Sequence, residues 1–348
     1  MISISGKKIS KNSKPFLIAE MSGNHNQSLS KALKIVKAAY EAGADAIKLQ
    51  TYTADTMTIN SKNKIFQITE KKNLWRGQTQ YSLYEKAQTP WAWHKKIFDY
   101  AKKLGIICFS SPFDESSVDF LEKLNVKIYK IASFENDHYP LLQKVAKTKK
   151  PMIISTGMLS LKELKNIVNY VKKNGCKKLI LLKCTSAYPA DPKDANLLTM
   201  KEMRKIFKCE VGLSDHTVGM GTSIAAITMG ASVIEKHFKF DKKDITVDSK
   251  FSMDTNNFKI FKKECDSAWL AKGVKFFGST KSEKSFEKNK RSIFAIKDIQ
   301  KEEKFTKENI RVLRPRVGLV PLFYNKILGK KATKKIKKND PIKRNFFY

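Results

Sequence analysis

Two short motifs, Gly-Leu-Ser-Asp-His-Thr at residues 212–217 and Glu-Lys-His-Phe at 235–238, decide how this sequence folds. Each histidine ends a run of β-forming residues, and a glycine-bounded apolar segment with helical spacing, 219–230, lies between the runs. Strand, helix and strand predict a right-handed parallel crossover, which brings both strand ends to the same side. His216 and His237 would then face one space, as in a transition-metal site with open coordination positions. Two unrelated core or surface histidines are the alternative.

The composition is that of a globular protein. A chain of 348 residues with 41% apolar content can bury a large core, and its length predicts one large domain and a smaller one. Residues 1–16 lack the apolar region of a signal peptide, and no later run approaches the length of a membrane span. The five cysteines are odd in number and lack zinc-like spacing, which suits unpaired thiols. We therefore expect a cytoplasmic protein with no membrane partner.

The formal charge of +35 raises the question of a nucleic-acid partner. Only 7 of the 68 basic residues are arginine, the residue that makes bidentate contacts to phosphate and guanine. The lysines are spread along helical segments, as on a solvated surface. We expect no nucleic-acid partner and interpret the charge as an attraction for small anionic substrates. A basic RNA-binding protein with a scaffolding role is the alternative from a different functional class.

Eight short apolar runs alternate with amphipathic helical segments. The runs are 16–20, 46–51, 106–112, 128–133, 151–156, 178–185, 210–215 and 232–238. Eight strands, seven intervening segments and a further helix at 255–272 predict an α/β fold, the (β/α)8 or TIM barrel. A doubly wound open sheet is the competing fold, but no Gly-x-Gly-x-x-Gly motif follows the first strand.

Two segments interrupt this pattern. Residues 53–90 delay the third strand, and an insertion on a βα loop lies at the catalytic face, so we expect it to contribute to substrate binding. Residues 273–290 are polar and rich in lysine, which predicts a linker. The sequence therefore predicts a barrel domain at 1–272 and a small, strand-rich domain at 291–348.

Polar side chains stand where the predicted strands end, which is where such barrels gather functional residues. They include Glu20, Lys48, Gln50, Ser111, Lys130, Ser133, Glu135, Ser155, Ser186, Tyr188 and Ser214. Two lysines on separate strands, with several hydroxyls, predict a site for a phosphate or a carboxylate. Lys48 and Lys130 lie within apolar strands and need an anionic partner there. The alternative to a bound anion is a glutamate on a neighbouring strand, such as Glu20 or Glu235.

Several segments of the chain together resemble the motifs of a known family. They are Ala19-Glu20 with Asn24-His-Asn26, Ile47 to Thr51, Ser111 to Asp114, Tyr129 to Ser133, Ile154 to Gly157, Lys183-Cys-Thr185, Gly212 to Thr217 and Glu235 to Phe238. The chain resembles the sialic acid synthase family, whose members condense phosphoenolpyruvate with an N-acetylated amino sugar in a metal-dependent (β/α)8 barrel. Residues from about 290 look like the family's C-terminal antifreeze-like (SAF) domain. Three segments, 50–58, 74–77 and 89–94, look most similar to pseudaminic acid synthases.

The resemblance implies roles for matching residues. His216 and His237 would hold a divalent metal, expected to be manganese, that polarises the aldehyde oxygen of the open-chain sugar. Glu20 would handle protons or position water. Phosphoenolpyruvate would contact Lys48, Lys130, Ser133, Ser155, Ser186 and Ser214, with Ser111 also among the substrate-binding residues. The sugar would contact Gln50, Glu135, Tyr188 and Asp248. Ser186 stands where some members have asparagine.

The resemblance also implies an assembly and a reaction. Arg314 matches a lid arginine and, in a domain-swapped homodimer, would reach the barrel mouth of the other chain; an arginine that only holds its own turn is the alternative. Arg316 and Glu302 stand where the family has turn glycines. The expected reaction joins phosphoenolpyruvate to 2,4-diacetamido-2,4,6-trideoxy-L-altrose, giving pseudaminic acid and phosphate. Synthesis of N-acetylneuraminate or legionaminate is the alternative within the family.

Overall fold

Eight parallel strands close into a barrel, which confirms the predicted fold class. The strands follow one another around the barrel in chain order, and the last pairs with the first. The computed structural model describes residues 2–71 and 73–348, and the chain divides after Gly273 into two compact units. Each barrel strand begins and ends within two residues of its predicted run.

The strands are β1 (Ile2–Ile4), β2 (Lys7–Ile9), β3 (Phe16–Glu20), β4 (Ala46–Thr51), β5 (Ile107–Pro112), β6 (Tyr129–Ile131), β7 (Met152–Ser155), β8 (Leu179–Cys184), β9 (Glu210–Asp215), β10 (Val233–His237), β11 (Ser292–Ala295) and β12 (Ile310–Leu313). The α-helices are α1 (Leu29–Glu41), α2 (Ala54–Met57), α3 (Gln80–Ala87), α4 (Trp91–Leu104), α5 (Glu115–Lys123), α6 (Tyr139–Lys147), α7 (Leu161–Lys173), α8 (Thr199–Phe207), α9 (Gly221–Thr228), α10 (Thr255–Lys272) and α11 (Tyr324–Ile327). Strands β3 to β10 form the barrel.

An antiparallel hairpin of β1 and β2 precedes the barrel, and the sequence analysis did not predict it. Its isoleucines, Ile2, Ile4 and Ile9, are buried in one cluster with residues at the amino ends of the barrel strands, such as Phe16 and Val233. The hairpin therefore covers the amino-terminal end of the barrel with apolar side chains. The carboxyl-terminal end is the one that (β/α)8 barrels use for their sites.

The helices outside the barrel follow the predicted periodicity. Helix α7 begins with a capping box between Ser160 and Glu163, and its buried face consists of Leu164, Ile167, Val168 and Val171. The apolar spacing continues into the terminal turns at Leu161 of α7 and Tyr40 of α1, but both side chains are exposed. A residue in a terminal turn has fewer neighbours to pack against, so periodicity predicts burial poorly there.

The second unit, residues 274–348, has its own core. Strands β11 and β12 pair antiparallel, and a separate apolar cluster includes Ile293, Phe305 and Ile336. Glu302, at a position where a turn glycine was expected, has a φ of 68°, so this turn does need a left-handed residue. Arg316 does not have a positive φ. Among the described residues, none of the helices combines the length and the apolar character that a membrane span requires.

Gly212 allows β9 and β10 to approach closely. A Cβ atom at this position would lie 2.1 Å from the Val233 carbonyl oxygen and 2.9 Å from Leu182 Cδ2. Gly221, which begins α9, has nothing within 4 Å of its own hypothetical Cβ.

We expect Gly212→Ala to destabilise the protein by roughly 1–3 kcal/mol or more, because the barrel wall must move apart. The matched change Gly221→Ala should be neutral or stabilising by roughly 0.5–1 kcal/mol, since alanine is the better helix former. Chemical unfolding of both variants measures the difference. Equal stability of the two variants would contradict the close approach.

Candidate active site

A cavity of about 830 Å³ lies over the carboxyl ends of the barrel strands. The insertion at 53–90, which includes α2 and α3, forms one side of it with residues such as Ile68, Trp75 and Tyr84. The position of this insertion on a βα loop predicted such a contribution. Six predicted site residues line the cavity: Gln50, Glu135, Ser186, Tyr188, His237 and Asp248.

The other predicted barrel residues are buried on the strands or directly after them. They are Glu20, Lys48, Ser111, Lys130, Ser133, Ser155, Ser214 and His216. Arg314 is exposed and belongs to the second unit. The structure thus brings all the predicted barrel residues to the carboxyl-terminal end, where six line the cavity and the other eight are buried.

Two lysines and two glutamates form a buried charge cluster, defined by Glu20, Lys48, Lys130 and Glu235. The Lys48 ammonium contacts the Glu20 carboxylate and lies 3.8 Å from Glu235 Oε1. The Lys130 ammonium lies 3.4 Å from the same Glu235 oxygen. Each lysine thus has a glutamate partner from another strand. Such a partner is the alternative to a bound anion that the sequence left open. Glu235 lies near both lysines. The sequence indicated it as a possible lysine partner but not as a site residue.

Burial and neighbouring charges shift the pKa values of this cluster in different directions. Burial raises the pKa of Glu20, and the contact with Lys48 only partly opposes it. Burial lowers the pKa of Lys130, and Glu235 does not fully compensate. Burial also acts to lower the pKa of Lys48, but Glu20 and Glu235 outweigh it and raise the value. The cluster therefore holds a carboxyl and an amine whose charged forms are both disfavoured, a typical feature of functional sites.

Several hydroxyls beside the cluster have no protein partner. The hydroxyl oxygens of Ser133 and Ser155 are buried without a hydrogen bond. A Cβ atom at Gly157 would lie 2.2 Å from Ser186 Oγ and 2.7 Å from Ser133 Oγ, so the glycine keeps this space open. The Asn136 side-chain amide donates to the Ser155 and Gly157 carbonyls at 3.2 and 3.0 Å and fixes the segment. Unpaired buried hydroxyls are unfavourable unless a ligand satisfies them, so this space suits a small anion.

The rings of His216 and His237 lie 5.4 Å apart between centroids, so the structure brings the two histidines together as predicted. His216 Nδ1 lies 2.9 Å from the Thr185 carbonyl oxygen, and donation to this oxygen leaves Nε2 free to bind a ligand. His237 Nδ1 is buried without a hydrogen-bond partner, 3.8 Å from Asp248 Oδ2. The described residues contain no group of three or more His, Cys, Asp or Glu side chains suited to a metal ion. Two imidazole nitrogens with open positions fit a divalent metal that also binds substrate or water.

Burial and neighbouring groups shift the pKa values of the two imidazoles in opposite directions. Burial lowers the pKa of His237 well below its ordinary value, and the nearby His216 lowers it further, so His237 is neutral. Burial also lowers the pKa of His216, but contacts with Cys184 and the Thr185 carbonyl outweigh it and raise the value. The Cys184 sulfur lies 3.9 Å from His216 Nδ1 and was not predicted as a site residue.

Aromatic side chains surround the histidines. The Tyr188 ring lies 4.4 Å from the ring of His216, and the Phe251 ring lies 4.8 Å from that of His237. Trp75, from the insertion, lies 6.1 Å from Tyr188 and donates its indole N–H to the Val247 carbonyl at 2.9 Å. This hydrogen bond joins the insertion to the loop that carries Phe251. The cavity therefore has an apolar wall beside its two imidazoles.

Family profiles match both parts of the chain. The NeuB family profile matches residues 35–276, and the SAF domain profile matches residues 290–347. The chain belongs to the NeuB family. This membership confirms the resemblance that the strand-end motifs predicted.

Relatives of this NeuB-family chain match it over nearly its whole length. It is 45% identical over 337 residues to a pseudaminic acid synthase of Campylobacter jejuni, covering 96% of this chain and 97% of the relative. It is 37% identical to an N,N'-diacetyllegionaminic acid synthase of the same organism, covering 95% of this chain and 99% of the relative. A crystal structure of N-acetylneuraminic acid synthetase from Leptospira borgpetersenii matches with a TM-score of 0.72 and 28% identity, covering 82% of this chain and 94% of that one.

Glu135 of this NeuB-family protein is a buried carboxyl at the cavity. Burial raises its pKa to about 7, and Lys130 opposes the shift only in part. Its Oε2 atom has no hydrogen-bond partner. Because an unfolded glutamate has a pKa near 4.5, the folded protein binds the extra proton between these values. The stability of the substrate-free protein should therefore fall as the pH rises from about 4.5 to about 7.

We expect Glu135→Gln to remove the loss of stability that accompanies a rise in pH. Its stability gain over the wild type should be absent near pH 4.5 and should reach up to roughly 3 kcal/mol above pH 7. Chemical unfolding of the substrate-free protein at pH 5 and pH 8 measures it. The matched control is Glu41→Gln, at an exposed position on α1, which should show no such change with pH. A gain that is the same at both pH values would contradict the raised pKa.

Proposed function

We propose that this protein condenses phosphoenolpyruvate with 2,4-diacetamido-2,4,6-trideoxy-L-altrose and releases pseudaminic acid and phosphate. The observation that carries the proposal is the 45% identity, over 96% of the chain, to a pseudaminic acid synthase. Identity to the diacetyllegionaminic acid synthase is lower, at 37%. The cavity is also large enough for a diacetamido sugar beside phosphoenolpyruvate, at about 830 Å³.

The apolar wall of the cavity supports the choice of sugar. The proposed acceptor has a methyl group at C6 and two acetamido methyls, which favour contact with apolar side chains. Tyr52, Leu74, Trp75 and Phe113 all line the cavity, and the rings of Tyr52 and Phe113 lie 5.0 Å apart. A sugar with a C6 hydroxyl would leave this hydroxyl without a partner against the same surface, at a free-energy penalty.

The charge cluster and the unpaired hydroxyls support the phosphoenolpyruvate site. Lys48 already donates to Ser111 Oγ at 3.3 Å, and Ser214 donates to Glu235 Oε1 at 3.2 Å. We propose that the phosphate and carboxylate of phosphoenolpyruvate accept hydrogen bonds from Lys48 and Lys130 and from the hydroxyls of Ser133, Ser155 and Ser186. The raised pKa of Glu20 favours its protonation, which would free the Lys48 ammonium for the incoming anion.

Glu20 is proposed to handle protons or to position the water in the reaction. The Ser22 backbone N–H and the Gln50 side-chain amide donate to its Oε1 at 2.9 and 3.2 Å. In the proposed reaction, C3 of phosphoenolpyruvate attacks the sugar aldehyde, water adds at C2, and the resulting intermediate loses phosphate. We propose that Glu20 positions that water by a hydrogen bond when it is protonated, or takes the water's proton when it is ionised, while the two lysines stabilise the departing phosphate.

His216 and His237 are the proposed holders of a divalent metal, with manganese as the proposed ion. The free Nε2 of His216 and the unpartnered Nδ1 of His237 support this assignment. When bound, such an ion acts as a Lewis acid on the sugar's aldehyde oxygen. Asp248 and Tyr188, which line the cavity beside the histidines, are proposed to orient the sugar there together with Gln50 and Glu135.

The assembly is proposed on the family resemblance alone. We propose a cytoplasmic homodimer in which Arg314 of one chain contributes to the site of the other, where its planar guanidinium would bind an acetamido carbonyl. The exposed position of Arg314 is compatible with such a contact. The division into a barrel domain at 1–272, a linker at 273–290 and a SAF domain at 291–348 belongs to the same proposal.

We expect His216→Ala and His237→Ala each to abolish turnover without loss of the fold, because each removes a metal ligand. Phosphate release in the presence of manganese measures turnover, and circular dichroism checks the fold. The matched control is His138→Ala, at a half-buried position outside the cavity lining, which should retain activity. Manganese-dependent turnover in either of the first two variants would disprove the metal assignment.

We expect 2,4-diacetamido-2,4,6-trideoxy-L-altrose to be the best acceptor. Its kcat/KM should exceed that of N-acetylmannosamine by roughly 10-fold or more, since one methyl-sized apolar contact discriminates by about 1–3 kcal/mol. Phosphate release with phosphoenolpyruvate, manganese and each candidate sugar tests this order. Faster turnover with N-acetylmannosamine or the legionaminic acid precursor would assign the protein to another branch of the family. Absence of phosphate release with all three sugars, together with salt-sensitive retention on RNA, would favour the RNA-binding alternative.

A further inference from the structure

A buried ion pair joins the outer sides of β9 and β10. Asp215 and Lys236 lie opposite each other in the parallel register, and their side chains are 1% exposed. The Lys236 ammonium lies 2.9 Å from Asp215 Oδ2. Because strand side chains alternate, Ser214 and Glu235 face the barrel interior, whereas this pair faces the surrounding helices. The proposed reaction does not use it.

The pair makes several further hydrogen bonds, to Thr217 and Ser223. Asp215 Oδ1 accepts from the backbone N–H and the hydroxyl of Thr217, at 2.9 and 2.7 Å. Asp215 Oδ2 accepts from Ser223 in α9 at 2.6 Å. Lys236 also donates to the Thr217 carbonyl at 2.8 Å. Three polar groups of Thr217 are thus held by the ion pair.

Stability alone is a weak reason for such a pair. The free-energy cost of desolvating two charges offsets much of their electrostatic attraction, and apolar residues of similar volume often stabilise a core equally well. What distinguishes a fully hydrogen-bonded pair is its geometry, since it fixes the groups around it in one arrangement.

The location of the pair indicates what it fixes. Asp215 directly precedes His216, and Lys236 directly precedes His237. Strand β9 ends at Asp215, so His216 lies beyond the ladder that joins β9 to β10. On the side of β8, the Ala190 N–H donates to the His216 carbonyl at 3.0 Å. On the side of β10, Lys236 donates to the Thr217 carbonyl, and within the segment Thr217 donates to Asp215, the partner of Lys236.

We propose that the Lys236–Asp215 pair is a positioning device that sets the separation of His216 and His237 for metal binding. The proposal rests on the assignment of the metal to these two histidines. Without the pair, residues 216–217 would keep their contact with Ala190 and lose their hold on β10, so the imidazoles would no longer be preorganised. Ser214 and Glu235, the chain neighbours of the pair that contact the charge cluster, face the barrel interior and not the pair, so phosphoenolpyruvate binding should be largely unaffected.

Two conservative changes at Thr217 test this without removing a charge. Thr217→Val removes the hydroxyl that donates to Asp215, and Thr217→Ser keeps it. Ser223→Ala is the matched structural control, because it removes a hydrogen bond to the same carboxylate from α9 and not from the segment that carries His216. Lys236→Met removes the ion pair itself.

The measurement is the dissociation constant of Mn²⁺ for the full-length, substrate-free chain, from the free-ion signal in electron paramagnetic resonance. We expect Thr217→Val and Lys236→Met to weaken Mn²⁺ binding by roughly 10-fold or more, the usual effect of losing a group that orients metal ligands. Thr217→Ser and Ser223→Ala should stay close to the wild type. The KM for phosphoenolpyruvate at saturating Mn²⁺ should not change in any variant.

The outcomes separate this proposal from the one on which it rests. If His216→Ala and His237→Ala bind Mn²⁺ as the wild type does, the metal assignment itself is wrong. If both lose Mn²⁺ while Thr217→Val keeps the wild-type affinity and only its unfolding midpoint falls, the pair is structural and the positioning role is disproved. If Lys236→Met does not fold, the comparison of Thr217→Val with Thr217→Ser decides the matter, because both keep the two charges.

Discussion

The structure of the site depends on the parallel pairing of β10 with β3, which closes the barrel. In this register Lys236 lies opposite Ala19, and His237 lies opposite Glu20. A proposed metal ligand and a proposed proton-handling carboxyl, 217 positions apart in sequence, thereby become neighbours. The hairpin of β1 and β2 covers the opposite end of the barrel with isoleucines. The polar strand ends are consequently left to face one cavity.

Closure also forces four charged side chains into the barrel interior. Lys48, Lys130, Glu20 and Glu235 are nearly inaccessible to water, and their mutual contacts outweigh desolvation for Lys48 and Glu235 but not for Glu20 and Lys130. The pKa values of Glu20 and Lys130 therefore move toward the neutral forms. Such a cluster is complete as a set of ion pairs and yet can reorganise when an anion arrives, because a proton on Glu20 would release Lys48. This combination is compatible with both interpretations of the buried lysines, a glutamate partner and a bound anion.

Above the cluster, the cavity changes character. Its polar floor consists of His237, which lines the cavity, and of the buried His216, Ser133 and Ser155 at the strand ends, and its wall carries Trp75, Tyr188 and Phe251. The polar floor suits the part of the reaction common to the NeuB family, and the apolar wall, supplied in part by the insertion, suits the choice of sugar. On the outer side of the same strands, the Lys236–Asp215 pair holds the segment that carries one imidazole. In the proposed function, the reaction and the choice of sugar thus depend on different layers of one barrel end.

The sequence by itself determined the barrel and the identity of most candidate residues. Strand and helix periodicities are local, so the runs ending at Glu20 or His237 could be read one at a time, and the βαβ rule placed their ends on one side. Residues with no local signal were missed. The hairpin strands have three residues each, too few for alternation to be recognised.

Only the tertiary structure decided which charges pair. Sequence placed Lys48, Lys130, Glu20 and Glu235 on separate strands but could not determine their distances, because side-chain contacts across a closed barrel depend on register and stagger. The same is true of Asp215 and Lys236, whose adjacency to the two histidines is visible in the sequence while their mutual contact is not. Local patterns fix which face a side chain occupies; the partner it meets there is fixed by the closure of the barrel.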